Sequence, residues 1–307
     1  MPMDFDNSYH KGKVTASADV QKAIENVARM VFFKNLENTN PEYKAIVTEI
    51  ASNSDQEHYD TIGNLSPAEF KDEGKAMTYG SIKEGHRTTI KNLTATNGFA
   101  ITLEAYQDEK WGITTKVKSA ELLRTMLNKK EVTCADVWNK VDTNISADGK
   151  AYAAADHPLL NSSETNNNLV TGKFSLDTYK EAFKRFNHWK NHAGDKFPTK
   201  PTAIYLNPDY QLQLMEMLQS TLLPYSQENT INATPSLKAV FNSYLDADKV
   251  HMVDENITTA VLQTRTPLEV GSEQDSGKTW NVRVYAMERY NAGMINPGFG
   301  FVTIKNA

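Results

Sequence analysis

Residues 57 to about 102 constrain the fold most, because they form a long, extended-looking stretch with almost nothing to bury. The stretch is rich in Thr, Gly, Lys and Asn. Residues 77–83 and 87–94 read as strands, with Lys83-Glu84-Gly85-His86 as the turn between them. Ile82, Ile90 and Leu93 supply its large aliphatic side chains. A two-stranded hairpin this polar is not stable alone in water. It must lie on something, either its own body or a neighbouring molecule.

The flanking sequence supplies the body. Residues 1 to about 16 are small and polar, an arm, and Ser17 can cap the helix that follows. Val20, Ile24, Val27 and Val31 draw one apolar stripe at spacings of four, three and four. A short apolar segment, 43–50, comes next. Beyond the polar stretch, 107 to about 129 predicts a long helix with Ile113, Val117, Ala120, Leu123 and Leu127 on one face. Asp148-Gly149 marks a turn, and 161–168, with three consecutive asparagines, marks a boundary between lobes. The second lobe opens with Ser175 capping a helix whose apolar face is Tyr179, Ala182, Phe183, Phe186 and Trp189, ended by Gly194. Residues 202–206 read as a buried strand, after which Asn207 caps and Pro208 starts a helix through Leu212, Met215 and Leu218. Strands are expected at 249–253, 259–264, around the alternating Trp280, Val282 and Val284, and at 299–304. The fold class is α+β, two mixed lobes carrying an arm and a hairpin.

The 307 residues fit a body near the size at which one core splits into two. Basic and acidic residues number 33 and 38, a formal charge of -5, and no block concentrates the basic ones. That disfavours a nucleic-acid reader, which carries a basic face or arm. No run approaches the ~20 apolar residues of a membrane span, and the N-terminus lacks the apolar core of a signal peptide. Cys134 is the one cysteine, so no intrachain disulfide forms, and it reads as a small apolar residue.

Chemistry-bearing patterns are sparse. There is no phosphate-binding glycine loop and no nucleophile elbow. His188 and His192 stand four apart on a predicted helix, the spacing at which two imidazoles face one ion. Trp189 stands where a zinc protease motif has glutamate, and Asp195 is the one further ligand nearby. The bland reading is a solvated polar face, opposite the Tyr179–Phe183–Phe186 stripe. Asp148, Asp156 and His157 are too sparse for a calcium loop; they read as turn chemistry and a hydrogen-bonded corner. Lys71, Lys75 and Lys83 in the polar stretch suggest either inter-subunit isopeptide cross-links or solvated lysines that protect a strand edge. No catalytic set and no cofactor site emerges.

The order of segments carries a resemblance. Residues 81–102 (SIKEGHRTTIKNLTATNGFAIT) resemble the extended loop of tailed-phage major capsid proteins, a fold shared with encapsulin compartments, and in particular of the Mu-like major head subunit family. Ala105-Tyr106-Gln107-Asp108-Glu109 leads into what would be the spine helix. Asp148-Gly149-Lys150-Ala151-Tyr152 followed by Ala155-Asp156-His157-Pro158 resembles that family's Asp-Gly-Lys segment with its histidine. Residues 201–218 resemble its strand and Pro-started helix, and 282–304 its closing strands, with Arg283, Arg289 and the Pro297-Gly298 turn. Pro158 departs from the glycine or asparagine common after the histidine.

The resemblance implies the phage major-capsid fold, with an N-terminal arm and helix (1–54), an extended β-hairpin loop (55–104), and a peripheral domain with the spine helix (105–168, plus strands from 265–290). An axial domain (169–264) and a closing β segment (265–307) complete it. It implies a non-enzymatic head protein that assembles through pentamers and hexamers into an icosahedral shell around double-stranded DNA. Its partners would be itself, a portal, a separate scaffolding protein (no long scaffolding segment precedes the arm) and decoration proteins. It would be found in the virion, and in host cytoplasm during assembly. Lys83, Glu84, His86 and Arg87 are expected at the hairpin tip in polar inter-subunit contacts. Val20, Ile24, Val27 and Val31 are expected to dock the arm helix, and Ile113, Val117 and Leu127 to form the spine-helix core. The rival readings are an encapsulin-type cargo shell, a soluble metal-binding enzyme using His188 and His192, and a tail or baseplate component.

Overall fold

The computed structural model describes residues 17–62, 68, 70–77, 79–80, 84–102, 104–105, 108, 111–219, 235–274 and 281–306. The arm at 1–16, Lys83 and Trp280 lie outside these residues. The chain divides into two compact units, one of residues 1–40, 94–129 and 266–289, the other of 41–93, 130–265 and 290–307.

The first unit contains helix α1 (Ser17–Glu37), strand β4 (Leu93–Ile101) from Thr94 on, and helix α2 (Trp111–Asn139) up to Lys129. It is completed by the later part of strand β11 (Ala260–Gln274) and the earlier part of strand β12 (Val282–Met294). The strands lie in the order β11-β12-β4. β12 alternates, with Val282, Val284 and Ala286 buried while Arg283 and Tyr285 are exposed, the pattern of a sheet covered on one face. The covering comes from Ile24, Ala28 and Phe32 of α1 and Leu122, Leu123 and Met126 of α2, which share one core with Val270, Ile101 and those β12 residues. A polar tie adds to it: Gln21 Nε2 donates to Ser272 O at 3.1 Å, and Ser272 Oγ donates to Glu25 Oε2 at 2.6 Å.

The predicted faces of both helices shift. In α1 the fully buried stripe is Ile24, Ala28 and Phe32, with Val20 packed beside it; Val27 and Val31 are half-buried. Phe33 and Met30 are exposed. In α2, Ile113 is 76% and Val117 65% exposed, so neither is a core residue, whereas Leu127 packs on the core. The buried face is set by Thr115, Ser119, Leu122, Leu123 and Met126. Its first turns hide hydroxyls, and Thr115 Oγ1 is satisfied within the helix by Trp111 O at 2.6 Å.

The second unit is built on a five-stranded sheet in the order β7 (Leu169–Thr171), β13 (Phe301–Lys305), β10 (Lys249–Val253), β8 (Ala203–Leu206) and β9 (Lys238–Phe241). β10 runs antiparallel to β13 and β8, while β7 and β9 run parallel to β13 and β8 respectively. Both faces of the central strands are covered, and β8 and β10 are buried at every position. On one face Ile204, Leu206, Val250, Met252, Val302 and Ile304 meet Tyr179, Ala182, Phe186 and Trp189 from helix α3 (Leu176–His188) and its cap. Leu214 and Met217 of helix α4 (Gln211–Gln219) join them. Leu212 and Met215 of α4 instead point outward. On the other face Trp138 of α2 packs against Tyr205, His251 and Phe301. The Ser175 cap and the Asn207 cap before Pro208 form as predicted, and Thr178 completes a capping box with Ser175. Helix α3 ends at His188 rather than at Gly194, and residues 161–168 lie within this unit. There Asn166 and Asn168 are buried and hydrogen-bonded to backbone at Lys190, Ala154 and Tyr152.

His251 makes the second unit acid-sensitive. Burial, with the neighbouring Lys249 charge and against the weaker pull of Asp142, pushes its pKa from 6.5 down to about 3. Its Nδ1 lies 3.0 Å from Thr303 Oγ1. The folded chain keeps the ring neutral, while the unfolded chain takes up a proton below about pH 6.5. Stability therefore falls as pH drops from 6.5 towards 3, by about 1.4 kcal/mol per unit. The expected result is a urea midpoint that is lower at pH 5 than at pH 7, with the difference reduced in His251→Phe.

Candidate assembly surfaces

The extended hairpin belongs to the second unit and pairs differently from the sequence expectation. Its strands are β2 (Gln56–Ile62) and β3 (Glu84–Lys91), antiparallel, with Tyr59 opposite Thr88 and Asp60 opposite Arg87. Glu84, Gly85, His86 and Arg87 are therefore strand residues and not a turn, and Met77, Tyr79 and Gly80 are not in a strand. The partner of 84–91 is chosen by which residues it can bury. In β3, Thr88 and Ile90 are buried and His86 is half-buried, while Arg87, Thr89 and Lys91 are exposed. The inward row rests on the chain's own second unit: Ile90 packs at Gly293, and His86 lies near enough to Asp148 and His192 for its charge to act on both.

The outward row carries the hairpin's charge. Arg87 grips Asp60 in a two-pronged pair, Nε to Oδ1 at 2.6 Å and Nη2 to Oδ2 at 2.8 Å. The Arg87 hydrogen bonds hold the Asp60 carboxyl below its usual range, and both side chains stay well exposed. Exposed pairs add little to stability. Arg87→Ala should leave the thermal midpoint almost unchanged, checked by calorimetry, so any assembly defect of this variant reports on contacts and not on folding.

The corner after α2 is tighter than a solvated turn. His157 Nδ1 lies 2.6 Å from Asp148 Oδ2, and the two side chains are 2% and 3% exposed. His157 Nε2 lies 3.2 Å from Tyr152 O, and Asp148 Oδ1 accepts from Lys150 N at 3.0 Å. Burial raises the Asp148 pKa. The hydrogen bonds from His157 and Lys150 N, with the charges of His157 and His86, more than reverse this and leave it below the ordinary value. Lys150 pairs with Asp156 at the surface. Gly298 closes the corner: its φ is +72°, and a Cβ there would come within 2.6 Å of the His157 ring. The local hydrogen-bonded corner read from Asp156-His157-Pro158 is present, with Asp148 as its buried partner.

The metal reading of His188 and His192 loses its geometry. His188 is the exposed last residue of α3, whereas His192 lies in the following loop, 7% exposed and against Phe299, with ring centroids 5.0 Å apart. Burial, with the charge of His86, lowers the His192 pKa. Among the described residues no group of three or more His, Cys, Asp or Glu is placed to hold a metal ion. Cys134 is fully buried in α2.

Of the residues expected between subunits, Glu84 and Arg87 are exposed, His86 half faces its own unit, and Lys83 lies outside the described residues. Ile24 is fully enclosed within its own unit and has no surface to offer a neighbour. Residues that sequence reasoning placed inside or overlooked are among the exposed apolar ones: Ile113 and Val117 on α2, Phe33 on α1, Ile145, Phe197 and Leu212. The signal for α2 was the four-residue spacing of Ile113 and Val117, read as a core face when it is an outward one.

This arrangement, a helix-backed sheet in one unit, a sheet covered on both faces in the other and a polar hairpin, is the fold of phage major capsid proteins. It superposes on the mature capsid of bacteriophage PhiM1 with a TM-score of 0.57 at 11% identity, covering 88% of this chain and 88% of that one. The virus-like particle from Pyrococcus furiosus gives a TM-score of 0.51 at 12% identity, covering 91% and 98%. The procapsid of bacteriophage JBD30 gives 0.52 at 12%, covering 94% and 76%. At these identities the likeness is one of fold. No curated protein sequence matches the chain. The family model of the Mu-like prophage major head subunit gpT matches residues 21–174, a span holding α1, the hairpin, α2 and the Asp148–His157 corner. The chain belongs to that family.

Proposed function

We propose that this head subunit assembles with copies of itself, through pentamers and hexamers, into a closed icosahedral shell around a double-stranded DNA genome. The observation that carries the reading is the family match over 21–174. It is supported by the fold neighbours, which include a mature phage capsid, a procapsid and a virus-like particle. The head-subunit match favours a phage head over an encapsulin-type compartment, and the separation of His188 from His192 speaks against the metal enzyme. The role is structural, without a catalytic step.

Residues 1–54 act as arm and helix, 55–104 as the extended loop, 105–168 with strands from 265–290 as the peripheral domain, 169–264 as the axial domain and 265–307 as the closing segment. Contacts between subunits use Lys83, Glu84, His86 and Arg87 of the hairpin, the partly exposed Val20, Val27 and Val31, and the outward face of α2 at Ile113 and Val117. A subunit overlapping several neighbours gains several modest patches, and multivalency makes the shell more durable than any pair. The mild net charge of -5 keeps the inner wall from adhering to DNA. A portal, a separate scaffolding protein and decoration proteins complete the head, and assembly takes place in host cytoplasm. The test is nuclease treatment of particles carrying this chain from producing cells. The reading expects protected double-stranded DNA; particles enclosing protein cargo and no DNA would contradict it.

A further inference from the structure

A continuous chain of hydrogen bonds, buried at Gln263 and Asn92 and opening towards solvent at Glu57, joins strand β11 to both strands of the hairpin and to the turn that feeds it. Gln263, on β11, is fully buried. Its Nε2 donates to Ile90 O and to Asn92 Oδ1, each at 2.8 Å, and its Oε1 accepts from Tyr59 OH at 3.2 Å. The carbonyl of Ile90 can only accept, so the orientation of the amide is fixed by its partner. Asn92, 3% exposed, passes the chain on: its Nδ2 donates to Ser52 Oγ at 2.7 Å and to Ser54 O at 2.8 Å, and its backbone N–H donates to Asp55 O at 2.8 Å. Ser52 Oγ then donates to Glu57 Oε1 at 2.7 Å, which also accepts from the N–H groups of Asn53 and Ser54. The root is held from β12 as well. Asn291 Nδ2 donates to Lys91 O at 2.8 Å, and Gly293 leaves room for Ile90, whose Cδ1 would stand 2.7 Å from a Cβ there.

The hairpin has little apolar area with which to fix its own direction. Apolar contact alone tolerates many angles, whereas directional bonds fanning out from two buried amides tolerate far fewer. From this geometry we infer that Gln263 and Asn92 are positioning residues for assembly: they set the direction in which β2–β3 runs across its own unit, so that the outward row is presented to a neighbour without a further ordering cost. The inference rests on the proposed function, because it assigns the network a role in shell formation.

The test compares the wild-type chain with Gln263→Met, which keeps the side-chain length and removes all three bonds, under conditions where the wild type forms closed shells. Amide hydrogen exchange in 56–62 and 84–91 is expected to rise at least tenfold, with β8, β10 and β13 unchanged. Shell yield by sedimentation is expected to fall at least tenfold, and Tyr59→Phe, which removes one bond, to fall in between. Unchanged exchange in the hairpin overturns the inference, and so does raised exchange with an undiminished shell yield. If Gln263→Met gives no folded subunit, Ser52→Ala takes its place: the same rise in exchange and fall in yield are expected, and the same two results overturn the inference. A wild-type chain that forms no shells under any condition strikes at the proposed function itself, a separate result.

Discussion

Trp138→Ala lowers the stability of the second unit by about 3–5 kcal/mol, the cost of removing a large buried aromatic. The indole is fully enclosed, with Tyr205, His251 and Phe301 at centroid distances of 5.3, 5.2 and 5.7 Å. Its Nε1 donates to Ile46 O at 2.9 Å, joining α2 to the segment before strand β1 (Thr48–Ala51). Alanine leaves a cavity on one face of the five-stranded sheet and an unpaired carbonyl beside it. A typical domain is stable by only ~5–15 kcal/mol, so the loss is a large share of the total. Urea denaturation measures it. Trp138→Phe should recover part of the packing and none of the hydrogen bond, and so fall between wild type and alanine.

The Asp148–His157 pair carries the second large effect. Removing one partner of this buried pair costs upwards of about 1–3 kcal/mol, because the carboxylate loses its hydrogen bond and is left uncompensated. His157→Ala strands the Asp148 carboxylate, which is 3% exposed. The Asp148→Ala/His157→Ala double variant should be destabilised by less than the two single variants sum to, since the second change removes a group already stranded. The pH window separates this pair from His251. Asp148 has a lowered pKa when folded, so its contribution is present above the ordinary value of 3.8 and is lost as pH falls through the lower folded value. The His251 loss begins nearer pH 6.5. In urea titrations, Asp148 variants should therefore alter the limb below pH 3.8 and His251→Phe the limb above it.

Local signals were legible wherever a short segment meets one apolar surface. The face of α3, with Tyr179, Ala182, Phe186 and Trp189, follows from periodicity, its start from Ser175, and the buried strand β8 from its apolar run; the reciprocal bond from Thr178 appears only in the structure. The α2 face was not legible, because its buried side opens with Thr115 and Ser119 while Ile113 and Val117 face outward. A helix that presents apolar residues on two sides carries two periodic signals, and the sequence does not rank them. The hairpin's pairing was lost for another reason. Strand 84–91 pairs with 56–62 across a long intervening segment, and polar strands give weak cues to register. His188 and His192 looked like one helix face until Trp189, the residue that caps α3, turned the chain between them. The Asp148–His157 corner was visible as a motif, and its burial was not, because Gly298 packs on it from a distant part of the sequence.

A head subunit of this family is recognised by the closed shell it builds. Negative-stain electron microscopy of the purified protein, with a candidate scaffolding protein supplied if needed and light scattering on the same sample, is the decisive measurement. Closed icosahedral particles of uniform size are expected. A stable, monodisperse monomer or dimer under every such condition would contradict that expectation.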